Sequence, residues 1–334
     1  MTAPPPLSPT LGALLGVHTG DSLGATLEFT THSRIKSTYP TGLRDIIGGG
    51  AFSWPPGHAT DDTDLTRAVL LAYRDREEFR KAGSSQAEEF DVAKCAAECS
   101  LKWLEGDWPE RKKGSRPIDI GGATLTGLSK YARSRDPKNC GAGPGSAGNG
   151  SLMRCIPTAL FTRGREGRIK ESMAISAVTH NDARCTVSCA VYNEIVASLV
   201  SGATPKGAVD VGLEVATSLD CPSVEAAISR GESLSISKIA EEGPGEELPD
   251  RTSGYVLQSL SVAIAALLDP RSFEDVLVDV VRIGGDTDTN GAIAGGLLGA
   301  RDGIEAIPPR WLEKLQFRGE FEELARSILQ SQAN

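Results

Sequence analysis

The run 292–300 contains only alanine, isoleucine, glycine and leucine, and this composition most constrains how the chain can fold. A helix that is apolar on every side must be buried on every side. The polar segment 284–291 enters this run directly and carries Asp286, Asp288 and Thr289 among glycines. The sequence therefore predicts two carboxylates and a hydroxyl at the start of a buried helix.

Acids at a helix start have more than one interpretation. A carboxylate can cap the helix, since the first backbone N–H groups need acceptors, but one cap needs only one acid. Asp286, Asp288 and Asn290 also match the first half of an EF-hand loop. The twelfth position of that loop requires a bidentate glutamate, and here it is Leu297, which excludes an EF-hand. Two interpretations of these acids remain, namely helix capping and a metal site of another kind.

A second acidic segment, Thr60-Asp61-Asp62-Thr63-Asp64, opens the helical stretch 65–73. Neighbouring residues do not share a helix face, so Asp61 and Asp62 can converge only from a loop or a first turn. If the two segments meet, their carboxylates repel one another unless cations neutralise them. Oxygen ligands favour Mg²⁺, with Mn²⁺ as an alternative, and four acids favour two ions. Independent helix caps are the competing interpretation.

The segment 141–154 is dense in glycine and contains G-x-G-x-x-G at Gly143, Gly145 and Gly148. A dinucleotide fingerprint requires a preceding apolar strand, whereas residues 134–140 are mostly polar, so that interpretation fails. Glycines still allow backbone N–H groups to converge on an anion, and a following helix would add its dipole. We predict a diphosphate cradle here, with a flexible linker as the alternative.

Three single residues are candidates for the site, and each of them also has a purely structural interpretation. Glu28 closes the helical stretch 11–29, which glycines interrupt at 16–21, and spacing alone favours a solvated helix end. His180 lies at the junction of two predicted helices, where a structural histidine is commoner than a catalytic one. Asp119 reads as a helix lead-in, with a ligand contact as the alternative.

The loop 106–122 carries a cluster of cations, namely Arg111, Lys112, Lys113 and Arg116. Cations on a polar loop are usually solvated. They could instead attract a phosphate-bearing ligand.

Composition limits the remaining function classes. A net charge of −9 argues against a general nucleic-acid or membrane-surface binder. Seven cysteines and the lack of a basic-then-apolar start favour a reduced intracellular protein, cytoplasmic or alternatively nuclear. Helical spacing recurs along the chain while period-two alternation is scarce. We therefore predict a flexible tail at 1–9 and a single all-α domain at 10–334, acting as a monomer.

These motifs together resemble the ADP-ribosylglycohydrolase family over nearly the whole chain. The signatures occur in order as Gly20-Asp21-Ser22-Leu23-Gly24 with Glu28, then Thr60-Asp61-Asp62-Thr63, Gly148-Asn149-Gly150 through Arg154, Thr179-His180, and Gly285-Asp286-Thr287-Asp288-Thr289. Family members include the glycohydrolase that activates dinitrogenase reductase in nitrogen-fixing bacteria.

The resemblance implies a compact all-α fold with a two-magnesium centre. Its implied metal ligands are Thr60, Asp61, Asp62, Asp286, Asp288 and Thr289. Its implied substrate-binding residues are Asp61, Pro144, Gly145, Ser146, Ala147, Gly148, Asn149, Gly150 and His180. Glu28, on a mobile flap in the family, and Asp62 are the implied acid–base or substrate-orienting groups. Ala147 stands where some relatives have an aromatic residue.

The implied reaction is Mg²⁺-dependent hydrolysis at the anomeric carbon of an ADP-ribosyl group carried by a protein or a small conjugate. Two alternatives are a non-catalytic ADP-ribose-binding or structural protein and a metal-assisted phosphohydrolase acting on ADP-ribose derivatives. Arginine, serine and O-acetyl linkages all remain open.

Overall fold

The protein is described here from a computed structural model that covers residues 5–82, 90–246, 248 and 253–333. Within these ranges the chain is built from α-helices, and its only β-pairing consists of isolated bridges. The predicted all-α fold is therefore confirmed. In chain order the helices are α1 (Leu7–Gly24), α2 (His32–Thr38), α3 (Asp61–Lys81), α4 (Val92–Leu104), α5 (Gly122–Ser134), α6 (Ile156–Phe161), α7 (Arg165–Ala177), α8 (Ala183–Val200), α9 (Pro205–Ser218), α10 (Pro222–Ser233), α11 (Ile236–Glu242), α12 (Val256–Leu268), α13 (Phe273–Arg282), α14 (Thr287–Asp302), α15 (Pro309–Leu312) and α16 (Arg318–Ala333).

Helices α1 and α14 form the centre of the fold and pack against each other along their length. Every residue of α14 from Thr287 to Ala300 is buried, as the apolar composition of 292–300 predicted. Helix α1 is buried from Thr10 to Gly24. It runs unbroken through 16–21, so the predicted interruption is wrong. Glycine has low intrinsic helix propensity, but tertiary packing overrides it here.

Helix α1 contains glycines because α14 packs very close to it. Gly12, Gly16 and Gly20 recur every four residues and so share one helix face. A Cβ atom built on Gly16 would lie 2.1 Å from the carbonyl oxygen of Gly295. One built on Gly20 would lie 1.9 Å from that of Gly291. Only glycine, which has no Cβ atom, permits the two helix backbones to approach this closely. The close contact places the polar start of α14 against the end of α1.

Replacing Gly16 with alanine is expected to lower the free energy of unfolding by about 3 kcal/mol or more, because the methyl group meets backbone that cannot swing away. Gly319→Ala is the matched control. A Cβ atom at Gly319 in α16 would meet nothing within 4 Å, so that change should be neutral or stabilise by up to about 1 kcal/mol. Melting temperatures of both variants test this, and equal shifts would contradict the close-packing account.

One boundary differs from the sequence-based ones, and one short helix was not predicted. Helix α1 begins at Leu7, so residues 7–9 of the predicted tail are helical, while residues 1–4 lie outside the described ranges. Helix α2 lies just beyond the predicted helical stretch 11–29, in the connection to the second acidic segment. None of the helices in the described ranges is long and apolar enough to cross a membrane.

Candidate active site

The first acidic segment forms the first turn of α3. Thr60 is the N-cap, and its side-chain oxygen accepts a hydrogen bond from the backbone N–H of Asp62. Asp21 of α1 caps the same end from outside, because its Oδ2 accepts from the backbone N–H groups of Thr60 and Thr63 and from the Thr63 hydroxyl. The Thr60-Asp61-Asp62 turn is thus fixed against α1, and its acids gain the favourable dipole of the helix N-terminus.

The two acidic segments meet, as the sequence predicted. Asp62 Oδ2 accepts hydrogen bonds from the hydroxyls of Thr60 and Thr289, each with an oxygen–oxygen distance of 3.3 Å. Asp286 lies at the start of α14, and its Oδ2 accepts from Asn149 Nδ2 at 2.7 Å. The starts of α3 and α14 and the glycine-rich segment therefore converge on one point. Independent helix caps do not account for this arrangement.

Glu28 is held beside the cluster by the backbone that follows it. Phe29 N–H donates to the carbonyl of Gly285 at 2.8 Å, and Gly285 N–H donates to that of Thr30 at 3.0 Å. The Glu28 side chain is 6% exposed, so it is not a solvated helix end. Carboxylate oxygens of Glu28, Asp119 and Asp288 lie within 4.8 Å of one another.

These groups surround a cavity of about 610 Å³, a size typical of small-ligand sites. Of the sequence-based candidates, the residues lining it are Glu28, Asp61, Asp119, Gly148, Asn149, Gly150, His180, Asp286, Asp288 and Thr289. Asp62 is fully buried behind this lining, and Thr60 faces a neighbouring cavity. The candidates outside the main lining also include Pro144, Gly145, Ser146 and Ala147.

Only the second half of the glycine segment contributes to the cavity. The backbone N–H of Gly145 is already bound by Asp182 Oδ2 at 2.8 Å, and the carbonyl of Ala147 accepts from Val256 N–H. The expected helix at the end of the segment is also absent there, since α6 begins only at Ile156, after a turn. The predicted dipole contribution from that helix is therefore wrong.

A different helix presents its N-terminus to the cavity. The N-cap of α5 is Gly121, which has no side chain to satisfy the first N–H groups. Gly121, Gly122, Ala123 and Thr124 all line the cavity. The Thr124 hydroxyl is buried and has no hydrogen-bond partner within the described part of the chain. Free N–H groups, a helix dipole and a free hydroxyl together suit an anionic ligand.

His180 is oriented by a chain of hydrogen bonds from Arg154. Arg154 Nη2 donates to Thr179 Oγ1 at 2.7 Å, and Thr179 Oγ1 lies 2.8 Å from His180 Nδ1. A guanidinium only donates, so the Thr179 hydroxyl accepts from it, and we assign the hydroxyl's own hydrogen to Nδ1, its other partner in the described part of the chain. The proton of the neutral ring is then on Nε2, beside Gly148 and Gly150. Burial, followed by the nearby Arg154 charge, lowers the pKa of His180 to about 3.

Thr179→Val is expected to weaken binding of ADP-ribose, the ligand that the family resemblance implies, roughly 5- to 150-fold, since it removes the hydroxyl that fixes His180 and leaves a buried donor unpaired. Thr179→Ser should restore binding. Thr186→Val is the control, because its hydroxyl bonds only Ala183 O within α8. Calorimetry measures binding, and the ¹⁵N shifts of His180 report its tautomer. An unchanged tautomer in Thr179→Val would contradict the chain of hydrogen bonds.

The acid cluster is electrostatically strained without positive charge. Burial, then repulsion from neighbouring carboxylates, raises the pKa values of Asp61, Asp62 and Asp288 well above their usual range. The same causes raise the pKa of Glu28 to about 9 and that of Asp119 to about 6. Protons or cations must therefore balance these groups near neutral pH.

This strain predicts how stability depends on pH when EDTA excludes divalent cations. A carboxyl group whose pKa is raised on folding binds more protons in the folded than in the unfolded state, so stability falls as pH rises. For Asp119 and Glu28 the fall begins near their ordinary values of 3.8 and 4.5 and continues to about 6 and about 9. We expect the melting temperature in EDTA to decrease from pH 6 to pH 9. An increase over that range would contradict the folded-state pKa values.

The residues present fit divalent cations. All candidate ligands are carboxylate or hydroxyl oxygens, which hard cations prefer. Asp62 Oδ1 and Glu28 Oε2 are buried, yet neither has a hydrogen-bond partner within the described part of the chain. Buried unpaired carboxylate oxygens are costly unless a cation or proton satisfies them.

Comparison with known proteins now identifies the family. A model of the ADP-ribosylglycohydrolase family matches residues 3–334. The chain belongs to this family. It is 30% identical to the ADP-ribosyl-[dinitrogen reductase] glycohydrolase of Rhodospirillum rubrum, over 98% of this chain and 97% of that protein. It is also 28% identical to the ADP-ribosylarginine hydrolase Tri1 of Pseudomonas putida, over 95% of this chain and 76% of that protein.

A solved structure shows the same architecture. An ADP-ribosylglycohydrolase-related protein complex superposes with a TM-score of 0.76 at 28% identity, covering 97% of this chain and 98% of the other. The all-α ADP-ribosylglycohydrolase fold of this chain is thereby established.

Sequence reasoning gave two members of the site no role and favoured a structural role for a third. Asp119 was interpreted as a helix lead-in with a ligand contact as the alternative, and its carboxylate joins those of Glu28 and Asp288. Asp21 belongs to a family signature but was given no role, although it fixes the first turn of α3. Thr124, at the uncapped start of α5, belongs to no sequence motif that would have identified it. A signal for Asp119 existed, namely the glycines at 121 and 122 that leave the following helix uncapped.

Proposed function

We propose that this protein is a Mg²⁺-dependent hydrolase that cleaves the glycosidic bond at the anomeric carbon of ADP-ribosyl groups on arginine side chains and releases ADP-ribose. The observation that carries the proposal is the convergence of both acidic segments, Glu28 and Asp119 at a cavity that also contains free backbone N–H groups. Membership in the ADP-ribosylglycohydrolase family and the names of the relatives support the reaction class.

The diphosphate is assigned to the segment Gly148-Asn149-Gly150 together with the start of α5. Glycines there allow close approach, and the α5 N-terminus supplies the helix dipole that the glycine segment lacks. His180 presents its Nε2–H to the same region as a neutral donor. Arg154 adds a buried positive charge behind the segment and holds it through the carbonyl of Gly150.

Two Mg²⁺ ions, held by Thr60, Asp61, Asp62, Asp286, Asp288 and Thr289, would supply the Lewis acidity and positive charge of a hydrolytic centre. This ligand set agrees with the donor chemistry and with the unpaired oxygen of Asp62. Asn149 donates to Asp286 and so orients that carboxylate relative to the diphosphate segment.

We assign the proton transfers to Glu28 and Asp119 rather than to Asp62, because the first two line the cavity and Asp62 does not. In the metal-free protein, burial and neighbouring carboxylates raise the pKa of Glu28 to about 9 and that of Asp119 to about 6, and this order favours Glu28 as the acid and Asp119 as the base. Protonated Glu28 donates to the departing nitrogen as its bond to the anomeric carbon breaks. Ionised Asp119 accepts the proton of the water that forms the new carbon–oxygen bond.

The arginine linkage is supported by the charge of this end of the cavity. A guanidinium is a permanent cation with several fixed donors, and carboxylates are its preferred partners. The ionised Asp119 carboxylate at this end of the cavity offers such a partner, which neutral serine or acetyl groups do not need. The Pseudomonas putida relative is named for arginine.

The test is hydrolysis of matched peptides carrying arginine-linked or serine-linked ADP-ribose, and of O-acetyl-ADP-ribose, in H₂¹⁸O with Mg²⁺. We expect ADP-ribose labelled at the anomeric hydroxyl, formed fastest from the arginine linkage. AMP, or ¹⁸O in a released phosphate, would mean attack at phosphorus and a phosphohydrolase. Tight ADP-ribose binding without turnover of any substrate would mean a non-catalytic binding protein.

A further inference from the structure

A second cavity of about 280 Å³ adjoins the main one, and nothing above assigns it a role. Asp61 and Asp119 line both cavities, so the two meet at one proposed metal ligand and at the carboxylate proposed to accept the proton of the attacking water. Away from this shared wall the cavity is bordered by the cationic loop, here defined as residues 110–118. A group leaving the ribose past Asp119 would enter this space.

The charges along this cavity change sign with depth. The inner residues Asp61 and Asp119 are acidic, whereas Lys112 and Arg116 at the rim are exposed. Neither Lys112 nor Arg116 makes an ion pair or hydrogen bond through its side chain in the described part of the chain. The rim also contains Glu110, which leaves two cations against one anion. In a chain of net charge −9, such a rim is not explained by general surface charge.

The other cations of this loop are already engaged. Arg111 donates to the carbonyls of Trp103 and Ser115 and thereby holds the loop in place. Lys113 lies 3.4 Å from Asp107 and does not line the cavity. Lys112 and Arg116 are therefore the two cations available to a ligand.

Trp54, which lines this cavity, carries a buried donor without a partner in the described part of the chain. Trp54 is 9% exposed and stacks on His58 with ring centroids 5.0 Å apart. Its indole N–H is buried and has no acceptor in the described ranges. A buried N–H is costly to leave unpaired, so an acceptor from a ligand would stabilise it.

We propose that this cavity is the subsite for the polypeptide that carries the ADP-ribosylated arginine, and that it selects an acidic residue next to that arginine. The guanidinium lies by Asp119, a peptide carbonyl accepts from the Trp54 indole N–H, and the acidic side chain pairs with Lys112 and Arg116. A free phosphate or second nucleotide fits less well, because the inner wall would repel it. The inference rests on the proposed arginine-linked hydrolysis.

The experiment compares kcat/KM for two ADP-ribosylarginine peptides that differ only in glutamate or glutamine beside the arginine. Exposed ion pairs contribute modestly, so wild type should prefer the glutamate peptide roughly three- to tenfold at low salt and less at high salt. Lys112→Glu with Arg116→Glu should abolish or reverse this preference. Lys113→Glu is the matched control on the same loop and should retain it.

ADP-ribosylarginine without a peptide separates the two proposals. It should be cleaved equally by wild type and by the double variant, because it does not reach the rim. Absence of cleavage by wild type would overturn the proposed function itself. Normal cleavage combined with no preference between the peptides, or with equal preferences in wild type and the double variant, would overturn the subsite. Trp54→Phe keeps the ring and should lower kcat/KM for peptides alone, and an equal loss on the small substrate would also contradict the assignment.

Discussion

Replacing Asp62 with asparagine is expected to reduce turnover roughly 10³-fold or more, while the metal-free protein stays at least as stable as the parent. Asparagine has the shape of a protonated aspartate. Burial and repulsion already raise the pKa of Asp62 in the metal-free protein, so the substitution removes a strained group rather than a stabilising one. What it removes is a negative ligand between Thr60 and Thr289.

Melting temperatures with EDTA and with excess Mg²⁺ measure both parts of this prediction. The parent should gain about 2.7 kcal/mol when Mg²⁺ is present at 100 times its Kd, and Asp62→Asn should gain much less. Asp64→Asn is the control in the same turn. Asp64 accepts from the indole N–H groups of Trp103 and Trp108, so its loss should lower stability and leave the response to Mg²⁺ unchanged. Full Mg²⁺ stabilisation of Asp62→Asn would contradict the ligand assignment.

Glu28→Gln is expected to lower kcat roughly 10²- to 10⁴-fold while ADP-ribose still binds, which is the range for losing a general acid–base group. Glutamine preserves the size of the side chain but cannot transfer a proton. Steady-state kinetics on the best substrate and calorimetry with ADP-ribose separate the two effects. Glu313→Gln, at an exposed position, is the control and should match the parent.

The same variant tests the direction of proton transfer. If Glu28 is the acid, the basic limb of the kcat profile in the parent should disappear in Glu28→Gln. Turnover close to the parent value on the best substrate would leave Glu28 as a structural residue, and Asp119→Asn would then become the decisive variant.

The role of the acidic segments in the site could be predicted from sequence because it depends on the spacing of residues close together in the chain. Adjacent acids at a helix start are too many for a cap, and the run after Asp288 is too apolar to be exposed. The spacing of glycines at every fourth position in α1 is visible in the sequence. That the helix continues through them could not be predicted, because glycine has low helix propensity and the packing that overrides it comes from α14, far along the chain.

For Asp119 the sequence offered only a weak signal, the glycines that leave the following helix uncapped. It lies at the end of an irregular loop with no periodicity, and only the folded chain places its carboxylate beside Glu28 and Asp288. The helix dipole was assigned to the wrong helix for a related reason. The glycine segment ends in a turn, and Pro157 marks the true start of α6.

The most direct test of the central claim is ADP-ribose release from an ADP-ribosylated arginine peptide by enzyme stripped with EDTA, followed by graded addition of Mg²⁺. The account predicts negligible release without metal, recovery as Mg²⁺ is restored, and no recovery with Asp62→Asn. Equal release of ADP-ribose with and without divalent cations would contradict it.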